Sequence, residues 1–174
     1  MNYISKTIMD VLKFATEWAK AEVFSTRFFI VFALLFLIAS YGFWQLGKTD
    51  LAKAYIIPTL VAGILLMIIG VGLVYTNTQR ITEFETAYQK DAAAFITAEF
   101  DRIESTLKEY NTIVFKAIPA IMIIASLLII LMDKPVWRAS CITTIAMMIV
   151  ILLIDGTAHS RIVAYKQQLE AVTP

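Results

Sequence analysis

The stretch FFIVFALLFLIASYGFWQL, residues 28–46, decides the fold, because it carries no charged side chain from end to end. At about 1.5 Å of helical rise per residue it covers most of a hydrocarbon core roughly 30 Å thick. Three further stretches repeat the signal. Ala54–Gln79 is also uncharged and is longer than a crossing requires, whereas Ala117–Met132 and Ala139–Ile154 are uncharged but shorter. The last two reach across only by recruiting Val114, Phe115 and Lys116, and Val136, Trp137 and Arg138, whose long basic side chains extend toward the head groups. The shortness of the fourth stretch draws Asp155 toward the membrane boundary.

The sequence therefore predicts an all-α membrane protein with four transmembrane helices, at 27–46, 53–75, 113–132 and 136–156. Composition agrees. Charged residues make up 17% and apolar ones 59%, against about 25% and 45–50% in a soluble domain. A globule of this size has no interior large enough for that excess. Basic and acidic residues are interspersed, with a net charge of +1, so no concentrated basic face marks a nucleic-acid partner. Cys141 is the only cysteine and cannot close an intrachain disulfide. The segment before the first uncharged stretch is long and carries acidic side chains, unlike a signal peptide.

Orientation follows from Lys and Arg. Eleven fall before the first span, between the second and third, or after the fourth; four fall in the two short turns. By the positive-inside rule both termini and the central segment face the cytoplasm, and the protein belongs to the plasma (inner) membrane. Trp44 and Trp137 at one boundary and Trp18 at the other are expected as interfacial anchors.

The polar segments read as helices too. Between Thr76 and Asn111 there is neither Gly nor Pro, and strong helix formers dominate. Ile96, Phe100, Ile103, Leu107, Tyr110 and Val114 alternate steps of four and three. Val74, Ile81, Phe84 and Tyr88 keep the same rhythm with one polar gap at Asn77. This predicts a cytoplasmic helical hairpin over 76–112, coiled-coil in character, extending spans two and three and turning near Gln89–Ala93. Residues 1–26 read as an amphipathic helix, with Ile4, Ile8, Val11, Ala15 and Trp18 on one side; it either lies flat on the leaflet or packs on the hairpin, which its alternating charges favour. Ile162, Tyr165, Leu169 and Val172 continue the fourth span as a helical tail, 157–174. A weak repeat relates residues 76–84 to 157–165, placing Arg80 opposite Arg161.

Chemistry is sparse. Asp155 and His159 share a helical face and are the candidate polar site, together with Thr76, Asn77, Arg80 and Arg161. Asp155-Gly156-Thr157-Ala158 begins like the Asp-Gly…Ala-Arg element of CDP-alcohol phosphotransferases. The likeness is rejected, because Leu152 and His159 stand where that family needs Asp and Arg, and no Asp follows. One His and one Cys cannot build an ordinary zinc site. Glu83, Glu85, Glu99, Asp101, Glu104 and Glu109 lack the Glu-x-x-His companion of a bundle di-metal centre and read as a solvated face. The sequence thus predicts no catalytic residues, no metal, no cofactor and no enzymatic activity. Small residues mark the helix contacts: Ala33 and Ser40; Thr59, Gly63 and Gly70; Ala139, Thr143 and Ala146.

Two functional readings follow. The first is a membrane protein acting through protein–protein contacts with another membrane protein: an accessory subunit, a scaffold, or an immunity protein against a membrane-active toxin. The second is a homo-oligomeric ion channel or small transporter, lined by Ser40, Thr59, Ser126 and Thr143, with Asp155 and His159 at its mouth.

Overall fold

A computed structural model describes residues 3–172 of the chain, with side chains described from 10 to 171. Helices account for nearly all of it: α1 (Tyr3–Leu46), the short α2 (Asp50–Ala54), α3 (Ile56–Lys90), α4 (Ala92–Glu109), a π-helical segment (Tyr110–Ala117), α5 (Ile118–Leu131) and α6 (Pro135–Val172). Four helical runs are long and apolar enough to cross a membrane. Each continues past its uncharged stretch, so the molecule has an apolar half and a polar half built from the same helices.

Residues 1–26 and 27–46, read from sequence as separate elements, belong to one helix from Tyr3 onward, because nothing between Tyr3 and Tyr41 breaks a helix: no proline or glycine occurs there. The second span and the first arm of the hairpin are likewise continuous in α3, and the fourth span and the tail in α6. The hairpin turns at one residue. Asp91 adopts an extended backbone, and its carboxylate accepts a hydrogen bond from the Ala94 N–H at 3.0 Å, capping α4.

The two prolines near span ends act differently. Pro58 sits in the first turn of α3, where its missing N–H has no intrahelical partner to lose. Pro119 lies within a continuous run and cannot bond four residues back. The chain answers with the π segment just before it, where the Ile118 N–H bonds to the Ile113 carbonyl.

In the apolar half α1 and α3 approach most closely. A Cβ at Gly70 would stand 2.9 Å from Phe29 Cβ and 3.1 Å from the Ile30 backbone nitrogen; one at Gly63 would stand 3.1 Å from the Ala33 carbonyl. α6 packs on both α1 and α5, whereas α5 leans on α6 without comparable contact to α1 or α3. Phe29, Ala33, Leu66, Val150 and Ile154 form the core here.

The polar half has a second core: Val11, Ala15, Trp18, Ala19, Phe84, Phe95, Ile103, Ile162, Tyr165 and Leu169. The N-terminal part of α1 therefore packs on the hairpin and the tail rather than lying apart. Ile4, Ile8 and Val172, assigned to the same stripes by sequence, lie outside the described side chains. Across the surface of this half Lys166 bridges α6 to Glu104 of α4 at 3.5 Å.

Candidate functional site: a charged layer between the two cores

Four helices interrupt their buried stripe with a polar residue, on α1, α3 and α6 near the level where the uncharged stretch ends and on α4 within the polar core. On α1 the steps from Val11 to Ala15 to Trp18 lead next to Glu22, only 6% exposed. On α3, Asn77 stands two helical turns from both Gly70 and Phe84 and is buried like them. On α4, Glu99 occupies the core position between Phe95 and Ile103. On α6, Asp155 lies half-buried next to Ile154.

Burying carboxylates at core positions is tolerable only when they are paired and hydrogen-bonded. Glu99 meets that condition. Arg102 grips it with both prongs, Nε at 2.9 Å and Nη2 at 2.6 Å, and the Tyr165 hydroxyl donates to it at 2.9 Å. The Arg102 guanidinium also lies 4.2 Å from the centre of the Trp18 ring, and Trp18 stacks on Tyr165 at 5.6 Å. Burial, then the charge of Glu99, pushes the Tyr165 phenol far up, so it remains a proton donor. Toward the apolar half, Arg161 of α6 donates to Glu22 of α1 at 3.0 Å.

A cavity of about 310 Å³ opens beside these pairs. Glu22, Asp155, Glu109, Arg80, Arg102 and Asn77 contribute its polar wall, and Leu73, Ile113, Val114 and Ile154 its apolar one. Arg80 donates a hydrogen bond to Asn77 at 3.0 Å, and pairs with no carboxylate among the described contacts. Burial and the like charge of Arg102 lower its pKa, although Glu99 and Glu22 oppose the shift. Asp155 and Glu109 also lack ion-pair partners among the described residues. The cavity therefore presents an uncommitted cation and uncommitted anions to the same space. Trp18 Nε1, Arg102 Nη1 and Arg161 Nη2 are buried near it with no hydrogen-bond acceptor among the described residues.

The structure sorts the residues singled out from sequence. Asn77, Arg80 and Asp155 line the cavity, and Arg161 stands behind Glu22. Thr76 is exposed and lies outside the cavity wall. Asp155 and His159 form no hydrogen-bonded pair among the described residues: His159 is held edge-on by the rings of Tyr110 and Phe115, at 5.6 and 5.0 Å. Trp18 requires a correction. It is 8% exposed and is a core residue rather than an interfacial anchor, because the Arg102 cation and the Tyr165 ring both pack against it. Trp44 and Trp137 do remain exposed, at the far end of the apolar half.

Glu99 requires a second correction, being buried rather than part of a solvated face. Glu22, Glu99 and Arg102 were missed as site residues, although the signal was present. Glu22 continues the four–three rhythm of Val11, Ala15 and Trp18, and a charge on an apolar stripe marks a buried polar contact.

The hydroxyl residues of the apolar half are also distributed unevenly. Ser40 donates to the Ile56 carbonyl at 2.8 Å, tying α1 to α3, and Thr59 donates to the Tyr55 carbonyl at 2.6 Å. Thr143 is buried, whereas Ser126 is exposed and bonded to the Met122 carbonyl of its own helix. No three of the described His, Cys, Asp and Glu side chains converge as a metal site would require.

No family model matches the chain, and no curated protein or solved structure is significantly similar to it.

Proposed function

We propose that the chain is a non-enzymatic multi-pass protein of the plasma (inner) membrane that acts through protein–protein contacts, as an accessory subunit, a scaffold or an immunity protein against a membrane-active toxin. Its termini and polar half face the cytoplasm, a reading supported by the excess of Lys and Arg in those segments. The observation that carries this reading is the commitment of the hydroxyl and small faces to contacts within one chain. Ser40 and Thr59 are bonded to backbone carbonyls and Thr143 is buried, so three of the four residues with pore-lining chemistry are occupied in helix packing. What remains for partners is a rigid helical bundle standing on the membrane, with charged outer faces.

The test combines three measurements on the intact protein. In liposomes it carries no ion flux. In nanodiscs it is a monomer by native mass spectrometry. In native membranes a photo-crosslinking residue at Glu83 or Asp101 traps a protein partner, and one at Ile130 does not. A ring of copies with flux that changes on Asp155→Asn overturns the proposal in favour of a homo-oligomeric channel.

A further inference from the structure

The charged cavity is walled by α1, α3, α4, the π segment and α6. Its polar wall turns toward the polar half, and its apolar wall (Leu73, Ile113, Val114, Ile154) turns toward the uncharged stretches. Leu73 and Ile113 are themselves partly exposed, at 37% and 55%, so the cavity opens along the surface that faces lipid. Farther down, a second depression between α3 and α6 is lined by Val61, Leu65, Thr143 and Met147. A polar chamber that opens beside an exposed apolar surface suits one phospholipid.

Charge specifies the head group further. Glu22 is bound to Arg161, and Glu99 to Arg102 and Tyr165, which leaves Arg80 and Asp155 uncommitted in the same cavity, with Glu109 beside them. A purely anionic ligand would satisfy Arg80 but stand against the carboxylates. A simple cation would leave Arg80 without an anion. A phosphodiester carrying its own ammonium satisfies both, since guanidinium groups bind phosphate oxygens and carboxylates bind ammonium. The volume of about 310 Å³ falls at the small end of the range for ligand pockets and suits a head group rather than a whole lipid.

We infer that this cavity binds the head group of a zwitterionic phospholipid of the phosphatidylethanolamine type, with its phosphate on Arg80 and Arg102, its ammonium on Asp155 and Glu109, and its acyl chains along the exposed apolar surface beside Leu73 and Ile113. The π segment contributes by widening the helix at Tyr110–Ala117, where Tyr110, Ile113 and Val114 form one side of the opening.

Native mass spectrometry of the full chain, delipidated in mild detergent and titrated with defined lipids, tests this. Phosphatidylethanolamine is expected to be retained about tenfold more tightly than phosphatidylglycerol, whose phosphate has no ammonium, and than diacylglycerol, which has neither. Arg80→Gln reduces phosphatidylethanolamine retention by a similar factor. Asp155→Asn narrows the preference over phosphatidylglycerol. Thermal melts confirm that both variants fold, and either variant alone suffices if the other does not. Equal retention of all three lipids, or retention unchanged in both variants, overturns the inference. Binding of water-soluble glycerophosphoethanolamine as tight as that of the lipid overturns the membrane source, and a protein or a second copy in the cavity in place of lipid overturns the assignment altogether.

Discussion

The same four helical runs build two cores that follow different rules. In the apolar half the contacts are small and close: Gly63 and Gly70 let α3 settle against α1, and Ala33 is fully buried between them. Lipid tails are as apolar as the side chains, so burial gains little by transfer, and dispersion at short range holds the helices together. In the polar half the contacts are large. Trp18, Tyr165, Phe84 and Phe95 fill the centre, because here water is the alternative and apolar area removed from it stabilises directly. Between the two lies the charged cavity, and the Glu99–Arg102 pair beside it is set into the polar core. The difference teaches that one helix can carry two packing codes in succession, and that polar groups collect where the codes change.

The strongest test of this contrast falls on that pair. Arg102→Met leaves Glu99 buried with only the Tyr165 hydroxyl, and removing one partner of a buried pair costs about 3–5 kcal/mol. Replacing both, Arg102→Met with Glu99→Met, is expected to restore most of that stability, because two charges no longer need desolvation. Reversible unfolding in bicelles measures both. A double variant as unstable as the single one would mean that the pair holds the bundle in register and is not merely tolerated.

A matched pair of truncations separates the cores. Ile103 and Leu66 are each fully buried. Ile103→Ala in the polar half loses transfer energy and leaves a cavity, at a cost of about 3 kcal/mol. Leu66→Ala forfeits packing without the transfer term and is expected to cost about half as much. Equal losses would break the comparison by showing that water reaches Leu66 or that lipid surrounds Ile103. Gly70→Ala belongs with these. Its new methyl meets the Ile30 backbone, which cannot move alone, so about 1–3 kcal/mol of overpacking is expected, visible as a lowered Tm.

How much of this was legible in sequence depends on which alternative solvent each segment faces. The four spans were readable because absence of charge over such lengths has one physical explanation. The turn at Asp91 was readable from helix formers running in on both sides. Continuity of α1 was not: periodicity places Val11, Ala15 and Trp18 on one side but does not say whether the helix bends at Arg27. Trp18 misled because an aromatic ring near a membrane edge satisfies either an interface or a buried cation, and only the position of Arg102, far along the chain on another helix, distinguishes them. Glu99 was read as solvated because a carboxylate at a core position makes sense only once Arg102 and Tyr165 are known to arrive there, whereas Glu22 was legible in principle, as the next step of the stripe through Trp18. The Asp155–His159 spacing was real, but helical spacing fixes a shared face rather than a shared hydrogen bond.

That last point yields the smallest effect and the sharpest division between the layer and its surroundings. His159 touches Tyr110 and Phe115 through ring edges and has no hydrogen-bond partner among the described residues. His159→Phe keeps a ring of similar shape in the same place, so stability should change by less than about 0.5 kcal/mol, and lipid retention should stay at the level of the unaltered protein. Asp155→Asn, one helical turn away, alters the cavity wall and with it the choice of lipid. If His159→Phe instead reproduced the Asp155→Asn phenotype, the two side chains would be acting as one proton-linked unit, and the boundary drawn between the charged layer and the aromatic packing outside it would have to be moved outward by a turn of α6.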